Sequence, residues 1–409
     1  MRNQEINFMR ILHVFYSTQP NTKGSDIRSR DIVESQKEIG LEVLACSSPF
    51  QPPSESGETI EYFSGIPHFR TFDARQRLTI SENDKGIIVK IRKILKLFTF
   101  ANRLLKIAKD IKPDIIHSHS TFFCAIAGYY VSRIIGVPFI YEVRSLWEER
   151  IVLKTPSLKN RLIASLIRHL ETKCMRSADR VVAISQGLFD EIIARGIKAK
   201  LVTIAPNAVN ISRITNKTIS ITNKPAKNWK FAYIGSLSEI EGLDLLIDAI
   251  RLLRASDWNN EFHIFGDGPA SHELKKQAQN VKGIIFHGSF RQDEITKVYN
   301  SVDVIVNPRK QSKLTDTVTP LKPLEAMAWR KLVITSSVRG MQELVKHRDT
   351  GLVFKTDELE SIVSILKNVI DQPHDMFGII ESGFQHVSQN RSWYKNAKTY
   401  EDLYRKLLK

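Results

Sequence analysis

The sequence predicts an α/β protein built from two domains with parallel sheets. Three observations carry this. The chain has 409 residues, too many for one ordinary hydrophobic core. Short apolar strands alternate with helical patterns in both halves, the signature of βαβ units. Between the halves, residues 211–228 are rich in Ser, Thr, Asn and Lys and poor in large apolar residues, which reads as a linker.

Composition narrows the class. Apolar residues make up 42% and charged residues 25%, both ordinary for globular protein. Cys46, Cys124 and Cys174 form no Cys-x-x-Cys pair, so neither a zinc site nor a disulfide framework is expected. Residues 1–8 are polar and do not read as a signal peptide. The longest nearly apolar stretch, 122–131, is half a membrane span. A cytoplasmic or peripheral protein, at the inner face of the plasma membrane, is the expectation. The net charge of +16 calls for an acidic partner: anionic lipid, nucleotide, polyanionic glycan or nucleic acid. No nucleic-acid motif appears, and the basic residues do not interleave with aromatics.

In chain order, 10–16 reads as a buried strand, 17–28 as a loop with Gly24, 29–39 as a helix and 41–47 as a second strand. Ligands bind such folds at the carboxyl edge of the sheet, where this first loop lies. Gly24 lets a phosphate or sugar approach the backbone, or is a plain turn glycine. No Gly-x-Gly-x-x-Gly follows the first strand, which disfavours a dehydrogenase. Residues 84–112 carry apolar residues at helical spacing among nine Lys and Arg. Such a helix suits an anionic membrane surface or a solvated outer face. The strand 113–120 ends in His117-Ser-His119, with no convincing third metal ligand. One of these histidines suits a hydrogen bond to substrate. Phe122–Ile135 reads as a helix and 138–143 as a strand. That strand exits through Tyr141-Glu142-Val-Arg144-Ser-Leu-Trp147-Glu148-Glu149-Arg150. Charge and a tryptophan at a strand end suit polar substrate recognition with sugar stacking, or else a surface ion-pair cluster.

In the second half, 231–234, 261–265, 283–287, 303–308 and 332–335 read as strands, with helices between them and a helical end at 377–409. The most informative stretch is 318–328, Val-Thr-Pro-Leu-Lys-Pro-Leu-Glu-Ala-Met-Ala. A polar loop, 309–317, leads into it, and a helix begins near Pro323. A turn before a helix start offers unpaired N–H groups to a phosphate. Glu325, one turn in, can accept from sugar hydroxyls.

Tyr233-Ile-Gly-Ser-Leu237, Phe265-Gly-Asp-Gly-Pro269, Pro323-Leu-Glu-Ala-Met-Ala328 and the Glu-Leu…Thr-Gly-Leu-Val of 338–353 occur in this order. So do the His-x-His strand end and Pro206-Asn-Ala-Val209. Together they resemble the retaining glycosyltransferases of family 4, which have the GT-B fold: two Rossmann-like domains facing across a cleft. The subgroup resembled is that of bacterial exopolysaccharide and surface-glycan synthesis. The resemblance implies an acceptor-binding domain at 1–210, a linker at 211–228, a donor-binding domain at 229–385, and a helix at 386–409 crossing back. It implies hexosyl transfer from a nucleotide sugar, UDP ahead of GDP, to a glycan or lipid-linked acceptor. No metal or other cofactor is expected, since Asp-x-Asp is absent. A sugar-nucleotide epimerase of the same fold, or a non-enzymatic polyanion binder, is the alternative.

By position, Glu325 is expected to hold the ribose, and the backbone at Thr319, Pro320 and Leu321 the diphosphate and sugar. Ser289 and Phe290 border the base, His119 contacts the donor sugar, and Gly24, Gly235 and Gly266 line the donor. Glu142, Arg144, Trp147 and Glu148 are the acceptor wall, with Glu142, Glu148 or Glu149 as a conceivable base. Thr317 replaces the first of the family's paired acidic residues. Ser236 and Glu241 stand where many members have Arg and Lys, which matches the subgroup. A leaving nucleoside diphosphate still needs cations, and Arg309 and Lys322 are the expected replacements.

Overall fold

The computed structural model of the chain describes residues 9–21, 24–51, 57–71, 87–154, 156–215, 229–256 and 258–409. The start of the basic helix at 84–86, the side chains of 87–94, and 216–228 of the expected linker lie outside the described residues. The chain forms two compact units, Met1–Pro206 with Trp393–Lys409, and Asn207–Ser392.

The first unit runs β1 (Arg10–Phe15), α1 (Gly24–Glu38), β2 (Glu42–Ser47), β3 (Ile60–Phe63), β4 (Ile66–Arg70), α2 (Ile87–Ile111), β5 (Ile115–His119), α3 (Phe122–Ile135), β6 (Phe139–Val143), α4 (Trp147–Lys154), α5 (Leu158–Ser177), β7 (Arg180–Ala183), α6 (Gln186–Ala194) and β8 (Val202–Ile204). Its sheet has the order β3-β4-β2-β1-β5-β6-β7-β8 and is parallel except for the β3–β4 hairpin. Strands buried on both faces need continuous apolar sequence, as in Ile11-Leu12-His13-Val14-Phe15. The titratable exceptions His13, His117, His119 and Glu142 share one face. His13 lies beside His117 in register, and His119 beside Glu142.

The second unit runs α7 (Ser212–Thr215), β9 (Phe231–Ile234), α8 (Leu243–Arg254), β10 (Phe262–Phe265), α9 (Ser271–Ala278), β11 (Ile284–Gly288), α10 (Ile295–Asn300), β12 (Val304–Asn307), α11 (Lys313–Thr317), α12 (Lys322–Ala328), β13 (Leu332–Ser336), α13 (Arg339–Gln342), β14 (Leu352–Phe354), α14 (Leu359–Asp371) and α15 (Pro373–Asn390). Its strands are all parallel, in the order β11-β10-β9-β12-β13-β14. Alternate residues feed two cores. Phe231, Tyr233, Val304 and Ile334 pack with α8 and α14. Ala232, Ile234, Ile305 and Val333 pack with α12.

Several elements differ from the sequence reading. The hairpin strand β3 and the helix α4 fall in stretches to which the sequence reading assigned no element. The polar run before the 318–328 stretch contains α11, which Ser312 caps by accepting from the Thr315 N–H at 3.1 Å. The expected terminal helix is two helices, α15 and a final α16 (Trp393–Leu407), broken at Arg391–Ser392. There the Val209 N–H donates to the Arg391 carbonyl at 2.8 Å. The three cysteines are buried and free.

Glu171 ties three elements of the first unit together. From α5, its carboxyl accepts the Phe122 N–H at the start of α3 at 2.9 Å and the Tyr141 hydroxyl of β6. Burial outweighs these donors and pushes its pKa up from 4.5 to about 7. A carboxyl raised in the folded state is harmless below its unfolded value and destabilises as pH rises past it. Between pH 4.5 and 7 the fold should lose roughly 3 kcal/mol at this position. Glu171→Gln should remove that loss, so denaturant midpoints at pH 5 and pH 8 should converge relative to the parent chain. An undiminished drop in the variant would overturn the assignment.

Candidate active site

In the second unit, chemistry-bearing side chains gather at the carboxyl ends of β9, β10 and β12. Two of these strands end in glycines whose backbone few other residues adopt. Gly235 has φ 149° and Gly266 φ 127°. A Cβ on Gly266 would strike the Gly235 carbonyl, and one on Gly235 would strike the Lys322 side chain. The glycine thus leaves a groove along which Lys322 lies. Its ammonium donates to the Tyr233 hydroxyl at 2.5 Å and sits 4.5 Å over that ring.

Glu241 organises the cations. It is buried and faces Lys322 Nζ at 3.0 Å and Arg309 Nη2 at 3.4 Å. Burial alone would raise this carboxyl, but Arg309 and then Lys322 outweigh it and hold the pKa at about 2. Burial lowers the Lys322 ammonium against the pull of Glu241. Arg309 also donates to the Val318 carbonyl at 3.3 Å, and Ser336 donates to the Arg309 carbonyl at 2.6 Å. Two cations share one carboxylate, so the cluster keeps a net charge of about +1. The sequence reading placed Arg309 and Lys322 as phosphate cations and Glu241 on the donor. It did not foresee that Glu241 pairs with both.

The other expected donor residues surround this cluster. Glu325 is half-buried on α12, near enough to raise the Tyr299 pKa after burial has done so. Thr319 is buried, and its carbonyl accepts from Asn207 Nδ2 at 2.7 Å. Pro320 and Leu321 are half-buried, and Ser236 and Ser289 are exposed. Thr317, at the first acidic position of the family, turns its hydroxyl back onto the Lys313 carbonyl at 2.7 Å. Phe290 meets Phe265 edge-on at 6.3 Å, and Phe265 stacks on His287 at 4.1 Å. This aromatic patch beside Gly266 offers a face to a flat ring.

In the first unit the centre is the Glu142 carboxylate, fully buried at 0% exposure. It accepts from Arg28 Nε at 3.2 Å, Arg144 Nε at 2.7 Å and the Tyr400 hydroxyl at 2.5 Å. Burial would raise its pKa, and the two guanidiniums hold it well below the carboxylate range instead. Arg144 is equally committed, donating to the Ser25 carbonyl, Ser29 Oγ at 2.8 Å and His119 Nδ1 at 2.9 Å.

The histidine tautomers follow from donor logic. Arginine has no acceptor, so His119 Nδ1 must accept from Arg144, even though Glu142 lies 3.3 Å away. Burial, then Arg144, lowers the His119 pKa far below 6.5, so the ring is neutral with its proton on Nε2. Nε2 donates to His13 Nδ1 at 2.8 Å, and His13 Nε2 donates to Gln36 Oε1 at 3.0 Å. Gln36 Nε2 donates to the Tyr404 hydroxyl at 3.1 Å, which donates to His117 Nδ1 at 2.9 Å. His117 Nε2 then points toward Glu142 at 3.9 Å, and the chain of donors almost closes on its start.

This corrects the sequence reading in three respects. His13 is the third histidine it did not find: one ring nitrogen each of His13, His117 and His119 lie within 4.8 Å of one another. The group does not fit a metal as arranged, because the Nδ1 lone pairs accept from Arg144, a histidine N–H and a tyrosine O–H. His119 is 1% exposed with both nitrogens engaged, so in this state it offers none to a sugar. Glu142 and Glu148 do not form an acceptor wall: a buried carboxylate must be paired, and Glu148 is bound by Arg195. Trp147 is half-buried, donates to Ser120 Oγ at 3.2 Å, and lies 6.4 Å from the exposed Tyr16. Glu149 is half-buried too, and Gly24 opens α1 with nothing within 4 Å of a built Cβ. Arg28, Gln36, Tyr400 and Tyr404 were not singled out. Only the four-residue spacing of the two tyrosines marks them in sequence.

Two family models match the chain: glycosyltransferase family 4 over residues 38–213 and glycosyl transferases group 1 over residues 229–372. The sulfoquinovosyl transferase SQD2 of Arabidopsis thaliana is 23% identical over 66% of this chain and 52% of its own length. The alpha-monoglucosyldiacylglycerol synthase of Streptococcus pneumoniae is 22% identical over 62% of this chain and 58% of its own. The chain thus spans a little over half of these relatives. The crystal structure of Anabaena Alr3699/HepE in complex with UDP superposes with a TM-score of 0.71 at 18% identity, covering 98% of this chain and 100% of that one. With two parallel-sheet Rossmann-like domains and both family matches, the chain belongs to the family 4 glycosyltransferases and has the GT-B fold.

Proposed function

We propose that the chain moves a hexose from a UDP-sugar, with retention, to a lipid-linked or glycan acceptor in bacterial surface-glycan synthesis. The observation that carries this is the Arg309–Lys322–Glu241 cluster beside Glu325 at the glycine-ended strands β9 and β10. In this reading Glu325 accepts from the ribose hydroxyls, and Arg309 and Lys322 meet the diphosphate, with the Thr319–Leu321 backbone alongside. Gly235, Ser236, Gly266, Ser289 and Phe290 border the donor, and Phe265 and His287 continue the aromatic patch. A relative of the same fold is solved with UDP, which favours that donor over GDP. The Streptococcus pneumoniae relative is an alpha-monoglucosyldiacylglycerol synthase, which favours a lipid-linked acceptor.

The chemistry needs no enzymic nucleophile. The bond from the sugar's anomeric carbon to the phosphate oxygen breaks, and the electron pair leaves with UDP. The acceptor hydroxyl forms the new bond on the same face and gives its proton to the departing phosphate. Arg309 and Lys322 stabilise the charge that builds on the diphosphate, the part a metal plays elsewhere. Glu241 holds both cations in place before the donor arrives and so cuts the cost of ordering them. In the first unit, Trp147 and Tyr16 are the aromatic surface for the acceptor, and Gly24 is the open backbone position. Among the described residues no helix is long and apolar enough to cross a membrane. The proposed location is the cytoplasmic face of the membrane, held peripherally, with 84–112 as one contact.

Glu325→Ala should weaken UDP binding roughly 10- to 100-fold by calorimetry, the worth of charge-assisted bonds to two hydroxyls. An unchanged Kd would sink the ribose assignment. Lys322→Ala should weaken UDP binding much more than uridine binding, and Gly235→Ala should imitate it by displacing the lysine. Equal losses for uridine and UDP would remove Lys322 from the diphosphate. Incubation with a panel of nucleotide sugars and lipid-linked acceptors, read by mass spectrometry and NMR, separates transfer from epimerisation: an epimerised donor with no new glycoside would overturn the transferase reading.

A further inference from the structure

Among the described residues, nine of the fifteen large apolar side chains left exposed lie on the consecutive helices α2, α3, α4 and α5 of the first unit. The densest group is on α5. Leu158, Leu162 and Leu166 are 80%, 74% and 60% exposed. At four-residue spacing they advance only about 40° around the helix per step, so they form one stripe. The helix is 20 residues long and its one carboxylate, Glu171, is buried. The exposed positions around the stripe include Lys159, Arg161, Arg168 and Lys173, with Ser165 and His169. Of these, Arg168 reaches Glu191 on α6 at 3.1 Å, at the edge of the face. Next to α5, α3 leaves Tyr130 and Ile134 half-exposed around Arg133, whose guanidinium donates to the Ser177 carbonyl at the end of α5.

We infer that this face of α5 rests on an anionic lipid bilayer, the leucines entering the acyl boundary and the basic residues meeting the headgroups. A monomer rarely leaves a contiguous apolar stripe exposed unless something else covers it. A second copy of the chain is the other occupant to weigh. Apposing two such faces would bring two basic rims together, which repel at close range. An anionic surface instead gains from every one of them, about fivefold in binding per residue at the headgroup plane. The mixture of an apolar stripe, a basic margin and no exposed carboxylate is that of an interfacial helix. This goes beyond the sugar-transfer reading and beyond the basic helix α2. It stands or falls separately from donor binding.

The test is co-sedimentation of the full chain with vesicles of phosphatidylcholine alone, or with an equal part of phosphatidylglycerol. The parent chain should pellet with the anionic vesicles and be released by salt. Leu158→Ser/Leu162→Ser/Leu166→Ser should weaken pelleting by roughly tenfold or more. Lys159→Glu/Arg161→Glu/Lys173→Glu should weaken it and reduce its salt dependence. Calorimetry with UDP is the control: both variants should keep the parent's Kd, since none of these residues belongs to the donor cluster. Three results would each overturn the proposal: no binding of the parent chain to anionic vesicles, variants that pellet like the parent, or a leucine-dependent dimer in sedimentation equilibrium.

Discussion

A single ionised carboxylate inside the first unit, Glu142, constrains much of what surrounds it. Taking a carboxylate out of water costs several kcal/mol even after the protein relaxes, and only close partners offset that. Here the partners come from three separate stretches of chain. Arg28 comes from α1, Arg144 from the loop after β6 and Tyr400 from α16. Arg28 also gathers the Ala205 carbonyl at the end of β8 at 2.9 Å and lies over the Trp393 ring. The last helix is therefore held to this domain by directional bonds to a charge, as well as by apolar contact. Because Arg144 is drawn in by Glu142, it must donate to His119, and the remaining donors in the histidine chain follow in order.

The second unit uses a buried carboxylate differently. Glu142 faces two guanidiniums that are themselves buried, with nearly all donors spent on protein acceptors. Glu241 faces a lysine and an arginine at the strand ends, and the lysine side chain is 21% exposed. Both clusters carry more cation than anion, but only the second keeps part of that excess at the surface. The contrast accounts for why one is an architectural element and the other the better place for a diphosphate. In the proposed reading Arg309 and Lys322, paired with Glu241, take the place of the cations that Ser236 and Glu241 do not supply.

Much of the architecture was legible. Continuous apolar runs marked the parallel strands, and helical spacing marked Phe122–Ile135 within its true bounds. What escaped had local causes. β3 is a four-residue edge strand with alternating exposure, too short for its period to stand out. α11 is set by one serine cap within a polar run. The break at Arg391–Ser392 depends on Val209, nearly two hundred residues away. The framework of the candidate donor site was legible where the backbone imposes it, at Gly235 and Gly266 and on the helix bearing Glu325. It was not legible where side-chain pairing decides. Glu142 and Glu148 read as surface groups because neither Arg28 nor Arg195 is near them in sequence. His13 read as one residue of a buried strand because its partners sit on β5 and α1.

The formal charge of +16 takes on a more definite meaning once the buried pairs are set aside. At each of the two clusters the cations nearly balance, leaving about one positive charge apiece. The rest of the excess includes the exposed basic residues of α5. A long unpaired basic surface destabilises a compact fold by self-repulsion unless it meets negative charge. On α5 that surface is interleaved with leucines, and water is a poor neighbour for both at once. A lipid surface with anionic headgroups is the environment in which the same side chains are favourable together.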